Sequence, residues 1–157
     1  MPVILAAPGT GKSHWVGLNP RWSDADEWAA SLGLHTAKWH ASSHTEKQTM
    51  AHYRRIDAEL EKLPADMFMI GSLYWDFVPD AIVLIDSKTH RDRVQSRPDL
   101  NWDQVSGVVQ DLESRAATHG VPIFKTFDAA AAHVEMAAGV GRARGAFRDA
   151  VATLCLK

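Results

Sequence analysis

Ala6-Ala7-Pro8-Gly9-Thr10-Gly11-Lys12-Ser13 follows directly on the apolar run Pro2-Val3-Ile4-Leu5. An apolar run, a glycine-bearing loop and then Lys-Ser is the order in which a strand feeds a phosphate-binding loop and a helix. A polyphosphate needs main-chain N–H groups that converge on its oxygens, and Gly9 and Gly11 can take the backbone angles that turn those groups inward. Lys12 supplies a compact cation for the terminal phosphates, and the Ser13 hydroxyl is placed to ligate magnesium. The helix beginning here aims the positive end of its dipole at the same anion. Pro8, Gly9, Thr10, Gly11, Lys12, Ser13 and His14 are therefore the candidate nucleotide-binding residues. The first position of the G-x-x-x-x-G-K-S pattern is the small residue Ala6.

Outward from this loop, apolar runs alternate with helical patterns. Val3–Ala6 predicts the first strand, and Gly11 or Lys12 to about Gly17 the first helix. Asn19-Pro20 predicts a turn into a short strand through Arg21-Trp22-Ser23, then a short helix from Glu27 to Leu32 that stops at Gly33. Ser43 followed by Glu46 reads as a capping box opening a helix to about Leu63, with Met50, Tyr53, Ile56 and Leu60 on one face. Met67–Ile70 and Ala81–Ile85 are short continuous apolar runs, the pattern of parallel strands covered on both faces. A charged helix or lid from Thr89 to Arg97, halted by Pro98, is expected next. Asn101 with Gln104 opens a helix to His119, Val121–Phe124 is the last strand, and Asp128 caps a helix through Met136. Beyond Gly139-Val140-Gly141, Phe147, Val151 and Leu154 share a face of a terminal helix. The alternation predicts a single three-layer α/β domain over 1–157 with a parallel sheet, its ligands beyond the carboxyl ends of the strands.

Bulk properties narrow the function classes. The chain has 157 residues, 46% of them apolar and 23% charged, which suits one folded domain with a normal core. A formal net charge of −2 gives no global attraction to nucleic acid, so such a contact needs a local basic patch. Cys155 is the only cysteine, which excludes an internal disulfide framework and suits a reducing cytoplasmic setting. No apolar stretch approaches the length of a membrane span.

Three groups of residues bear on chemistry. Asp24 and Asp26, an Asp-x-Asp pair at the end of the second strand, can hold the magnesium shell or take a proton from an acceptor hydroxyl; either can also simply cap the following helix. Arg91, Arg93 and Arg97, after the strand-end Asp86, can stabilise charge on a transferring phosphoryl group, although all three cannot share one helical face. Between the second and third strand ends and the long helix lie Gly71, Tyr53, Trp28, Trp39, Tyr74 and Trp75, with Arg54, Arg55, Lys38 and Lys47 as a basic rim. His35, His40, His44 and His52 lack zinc-site spacing, and neither Ser13 nor Ser72 sits in a nucleophile-elbow setting.

Together these features resemble the nucleotide kinase-like branch of P-loop proteins, which includes nucleoside monophosphate, shikimate and gluconate kinases and the kinase domain of polynucleotide kinases. The resemblance spans about Val3 to Met136 and is specific only at the phosphate loop. It implies strand order 2-3-1-4-5 with helices on both faces, a lid near 87–98 and an acceptor-binding helical region near 34–63. It further implies ATP and Mg2+, with Lys12, Asp24, Asp26, Arg91, Arg93 and Arg97 catalytic and Ser13 and Asp24 at the metal. Asp26, Arg54, Gly71 and Trp75 would hold the acceptor, and the loop after Val121–Thr126 would lie by the adenine. Two departures matter. The third strand ends in Gly71-Ser72, without a magnesium-directing Asp, and Gly71-Ser72-Leu73-Tyr74 lacks the Gly-x-Pro-Arg acceptor clasp, which points toward an alcohol acceptor.

The expected activity is transfer of the γ-phosphate of ATP to a nucleotide-like or small hydroxyl- or phosphate-bearing acceptor. A nucleic-acid acceptor, either a polynucleotide end or a hydroxymethylated base in DNA, is the alternative within the same chemistry. A non-kinase ATPase or switch module is the alternative outside it, since Pro-Gly-Thr-Gly-Lys-Ser also suits ring ATPases. Against that class, Asp86-Ser87-Lys88-Thr89 is a poor echo of a GTPase base-reading motif, and the third strand carries no Asp-Glu pair. Monomer and homodimer are both compatible with the sequence.

Overall fold

The computed structural model describes residues 1–34, 44–72 and 78–139. Five strands form one all-parallel sheet in the order β2-β3-β1-β4-β5, the order the resemblance implies. They are β1 Val3–Ala6, β2 Trp22–Asp24, β3 Phe68–Gly71, β4 Ala81–Val83 and β5 Ile123–Phe124. The helices are α1 Lys12–Leu18, α2 Ala25–Ser31, α3 Glu46–Leu60, α4 Ser87–Gln95, α5 Trp102–His119 and a last helix, α6, over 127–139.

Every residue of β1, β3 and β4 is buried, as their unbroken apolar runs require of strands covered on both sides. Alternate side chains enter two separate cores. Val3, Leu5, Met69 and Ile82 pack with Ala29 of α2, Ile56 and Leu60 of α3, Val94 of α4 and Leu112 of α5. Ile4, Ala6, Phe68, Ile70 and Val83 pack instead with Phe127, Ala130 and Val134 of α6 and with Trp15 of α1. Helices therefore cover both faces of the sheet. Strand β1 is central, with Leu5 in register with Gly71 on one side and Ile82 on the other, so the loop that leaves it emerges at the middle of the carboxyl edge.

The helix starts differ from expectation in instructive ways. The cap of α3 is Thr45, not Ser43: the Thr45 hydroxyl accepts from the Gln48 N–H while the Gln48 side chain accepts from the Thr45 N–H. Two overlapping S/T-x-x-E/Q frames stand here, and local sequence cannot rank them. The helix ends at Leu60, short of the expected Leu63, and Ser43 lies outside the described residues. Helix α2 starts at Ala25, two residues before the expected Glu27, because the Asp24 carboxylate caps it. Asn101 caps α5 through the Asp103 N–H rather than in a reciprocal box with Gln104. Asp128 is not a cap but lies inside α6; the Thr126 hydroxyl accepts from the Ala129 N–H there, and Asp128 accepts from the Trp15 indole N–H at 2.8 Å. The terminal helix expected around Phe147, Val151 and Leu154 lies outside the described residues, as do Trp39, Lys38, Tyr74, Trp75 and Cys155.

Candidate functional site

The chain leaves β1 through Ala7 and Pro8 and enters α1 at Lys12. Gly9 (φ 82°) and Gly11 (φ 101°) both occupy the left-handed region, which only glycine enters readily. Thr10 between them is buried, with its hydroxyl donating to the Ala7 carbonyl at 2.8 Å, so the loop is closed on itself. Gly11 is the N-cap of α1, and no side chain caps that helix.

Helix α4 seats directly on this loop. His90 Nε2 lies 2.8 Å from the Pro8 carbonyl; because a carbonyl only accepts, Nε2 carries the proton. Arg93 Nη1 donates to the Thr10 carbonyl at 2.8 Å. A methyl group added at Gly9 would come within 2.7 Å of Val94 Cγ2. His90, Arg93 and Val94 recur at three- and four-residue spacing and form one helix face, and Arg97 follows just beyond the end of the helix. The segment expected as a lid is thus a helix whose inner face is fitted to the loop. Arg91 is on another face, with its guanidinium 5.1 Å from the centre of the Trp102 ring. Arg97 donates to Asp99 at 2.6 and 3.1 Å, an exposed pair whose hydrogen bonds hold the Arg97 pKa above its usual value.

Beyond the loop, the charged groups converge. The Ser13 hydroxyl donates to Asp24 Oδ2 at 2.8 Å, and Asp24 Oδ1 accepts from the Asp26 N–H at 3.0 Å. One buried carboxylate therefore both caps α2, as one of the two readings of the sequence expects, and accepts from the serine of the loop. Lys12 is buried, and its ammonium stands 3.9 Å from Asp26 Oδ2. Burial pushes its pKa below the ordinary lysine value, the Asp26 and Asp24 carboxylates oppose that shift, and the nearby Arg97 charge adds to it. Ser72, immediately after β3, donates to Asp26 Oδ2 at 2.9 Å. On α3, burial raises the Tyr53 phenol pKa and the Asp26 carboxylate raises it further, so Tyr53 flanks the same carboxylate.

Lys12, Ser13, Asp24, Asp26, Arg93 and, more loosely, Arg97 are thus brought to one place. Gly71 ends β3 beside Leu5 and is buried, His14 is exposed on α1, and Arg54 is exposed on α3. Trp75 lies outside the described residues. Sequence reasoning missed Ser72, His90 and the support that Arg93 gives the loop. The bond from Ser72 depends on the course of the chain after β3, and the role of His90 on how α4 packs.

Among the described residues no group of three His, Cys, Asp or Glu side chains clusters as a metal site. Magnesium does not require one, since it takes one or two protein oxygens and completes its shell with phosphate and water. The adjoining Ser13 hydroxyl and Asp24 carboxylate fit that demand. A cavity of about 440 Å3 lies elsewhere, beside Met1, Asp66 and Asp80 at the amino ends of the strands. It has no comparable convergence of charge, and a phosphate cradle is an open main-chain surface rather than an enclosed hole. Among the described residues no helix is long and apolar enough to cross a membrane. No protein-family model matches this chain, and no curated protein matches its sequence.

Proposed function

We propose that this chain is an ATP- and Mg2+-dependent kinase that passes the γ-phosphoryl group to an acceptor hydroxyl held at Asp26. One observation carries the reading: a buried lysine at the start of α1 sits between a glycine loop on one side and the carboxylates of Asp24 and Asp26 on the other.

In this reading the loop N–H groups from Gly9 to Ser13 receive the β- and γ-phosphates, and the Lys12 ammonium exchanges its partial pairing with Asp26 for the phosphate oxygens. A buried, poorly hydrated ammonium gains most from such an exchange. Ser13 and Asp24 would hold Mg2+, which supplies charge neutralisation on the phosphate oxygens. Asp26, with the Ser72 hydroxyl fixing its orientation, accepts the acceptor's proton. As that O–H bond breaks, the acceptor oxygen bonds to the γ-phosphorus and the bond to the β-bridging oxygen breaks, releasing ADP. Arg93, and Arg97 once it exchanges Asp99 for phosphate, stabilise the equatorial oxygens. The missing acceptor-phosphate clasp after β3 favours an alcohol over a phosphate as acceptor.

The test is direct. Wild-type protein should show a magnesium-dependent thermal shift with ATP and should transfer label from γ-labelled ATP. Lys12→Ala and Asp24→Asn should each abolish transfer with the fold retained by circular dichroism. Unchanged turnover in both variants would sink the reading.

A further inference from the structure

Two carbonyl groups of the loop after β1 are turned the same way. The Pro8 carbonyl accepts from His90 Nε2 and the Thr10 carbonyl from Arg93 Nη1, each at 2.8 Å, and both donors belong to α4. A trans peptide unit is planar, and its C=O and the following N–H point in opposite directions. No peptide bond among the described residues is cis. The Pro8–Gly9 and Thr10–Gly11 units therefore aim the Gly9 and Gly11 N–H groups away from α4. Neither N–H meets an acceptor among the described residues, whereas the Thr10 N–H between them turns back to the Ala7 carbonyl at 3.4 Å.

Helix α4 follows β4 on one side of β1, while Asp24 ends β2 and Ser72 follows β3 on the other. Along the carboxyl edge, the half away from α4 is thus the one where Lys12 stands 3.9 Å from Asp26 and Ser72 bonds the same carboxylate. His90 is itself held in place. It is buried, and its ring stands edge-on to Trp102, the first residue of α5, with 5.5 Å between centres and planes 89° apart. On the loop side, a methyl group at Gly9 would lie 3.7 Å from His90 Cδ2 and 2.7 Å from Val94 Cγ2. A ring wedged between Trp102 and the loop leaves the Pro8–Gly9 plane little freedom to rotate.

We infer that His90 is a positioning residue for the phosphate donor: by holding the Pro8 carbonyl it turns the Gly9 N–H outward to receive a polyphosphate oxygen, and Arg93 sets the Gly11 N–H in the same way. This rests on the phosphate-site part of the kinase reading above and deepens it, since His90 acts only through the main chain. Donors aimed ahead of binding cost little reorganisation when the anion arrives. What they recognise is the phosphate chain, so inorganic tripolyphosphate with Mg2+ is a sufficient probe.

Titration with magnesium tripolyphosphate, followed by calorimetry and by nitrogen–proton correlation spectra of glycine-labelled protein, tests it, with MgATP measured in parallel. In wild type the Gly9 and Gly11 amide protons should move downfield on binding, as N–H groups do when they gain an anionic acceptor. Binding that moves neither signal overturns the inference, and that outcome needs no variant. His90→Phe keeps a ring against Trp102 but has no donor for Pro8. It should weaken tripolyphosphate and MgATP by the same factor, about two- to tenfold, the net worth of one hydrogen bond, and should shrink the Gly9 shift at saturation. His90→Gln, whose terminal amide can donate to Pro8, should restore both affinity and shift; a merely structural role for His90 would move thermal stability and leave the Gly9 shift as in wild type. A phenylalanine variant with wild-type affinity and shift, or a glutamine variant no better than it, overturns the inference. Wild-type protein that binds tripolyphosphate through Gly9 and Gly11 yet transfers nothing from ATP keeps the inference and overturns the kinase reading; protein that binds neither tripolyphosphate nor MgATP overturns both.

Discussion

Arg93 donates a 2.8 Å hydrogen bond to the carbonyl oxygen of Thr10, so the main chain of the loop after β1 is held by a residue 83 positions downstream. The donor is exposed and the acceptor belongs to a buried residue. Replacing Arg93 with Ala should cost about 1.5 kcal/mol in urea unfolding, the low end for a charged donor because water can partly replace it. Arg93→Lys should restore the charge but not the planar fork, recovering less than half of any loss in MgATP affinity. Equal affinity in the Lys variant and wild type would show that charge alone matters.

Gly9 and Gly11 should respond unequally to alanine. Both have positive φ, so each substitution carries backbone strain of about 1–3 kcal/mol. Only Gly9 adds a collision, 2.7 Å from Val94 Cγ2, whereas a methyl group at Gly11 would meet Arg93 Nη1 at an ordinary 3.5 Å. Chemical denaturation should rank Gly9→Ala as the more damaging. Combining it with Val94→Ala should cost less than the sum of the two single changes, since the clash is shared.

Burial of Lys12 makes the ligand-free protein less stable than it could be. Its folded pKa lies below the unfolded value of 10.5, so at neutral pH the folded state carries a desolvated charge that the unfolded state hydrates freely. Lys12→Met should raise the unfolding free energy without nucleotide by an amount on the order of 1 kcal/mol, and with it the melting temperature, while removing the stabilisation by MgATP. The sign with pH follows. Between the folded pKa and 10.5 the unfolded state binds more protons, so wild-type stability rises through that window and the advantage of Lys12→Met shrinks toward pH 10.5. A difference that widens on going alkaline would contradict the burial of this ammonium.

Asp24 and Asp26 separate structure from chemistry. Asn caps helices about as well as Asp, so Asp24→Asn should keep the start of α2 and melt near wild type while losing magnesium-dependent transfer. Asp26→Asn should lower kcat by about 10²–10⁴, the range for loss of a general base, with MgATP affinity close to wild type. Ser72→Ala should show a smaller loss of the same kind, because it only orients Asp26. Steady-state kinetics with direct nucleotide titration distinguishes these outcomes.

The central strands and the position of the loop were legible in the sequence because they depend on short-range signals: apolar runs at Val3–Ala6, Met67–Ile70 and Ala81–Ile85, and glycines flanking Thr10 ahead of Lys12; the strand order depends on long-range pairing and came only from the family resemblance. The Ser13–Asp24 pairing was also within reach, since both stand where a strand end faces the loop. His90 on Pro8, Ser72 on Asp26 and Asp128 on Trp15 were not legible. Each depends on the rotation of a helix or the course of a loop after packing, and no local pattern encodes those. The misplaced start of α3 has a simpler cause: Ser43 and Thr45 both precede a Glu or Gln by three residues, and only the folded chain selects between them.

The central place of β1 has a consequence for how the protein is made. Ribosomes deliver the chain from its amino end at about 5–20 residues per second, yet the neighbours of β1 are β3 and β4, and its loop is braced by His90 and Arg93. For several seconds of synthesis the glycine segment therefore emerges without the walls that shape it, exposing an apolar stretch to whatever chaperones are at hand. The loop cannot be fully braced until α4 has left the exit tunnel.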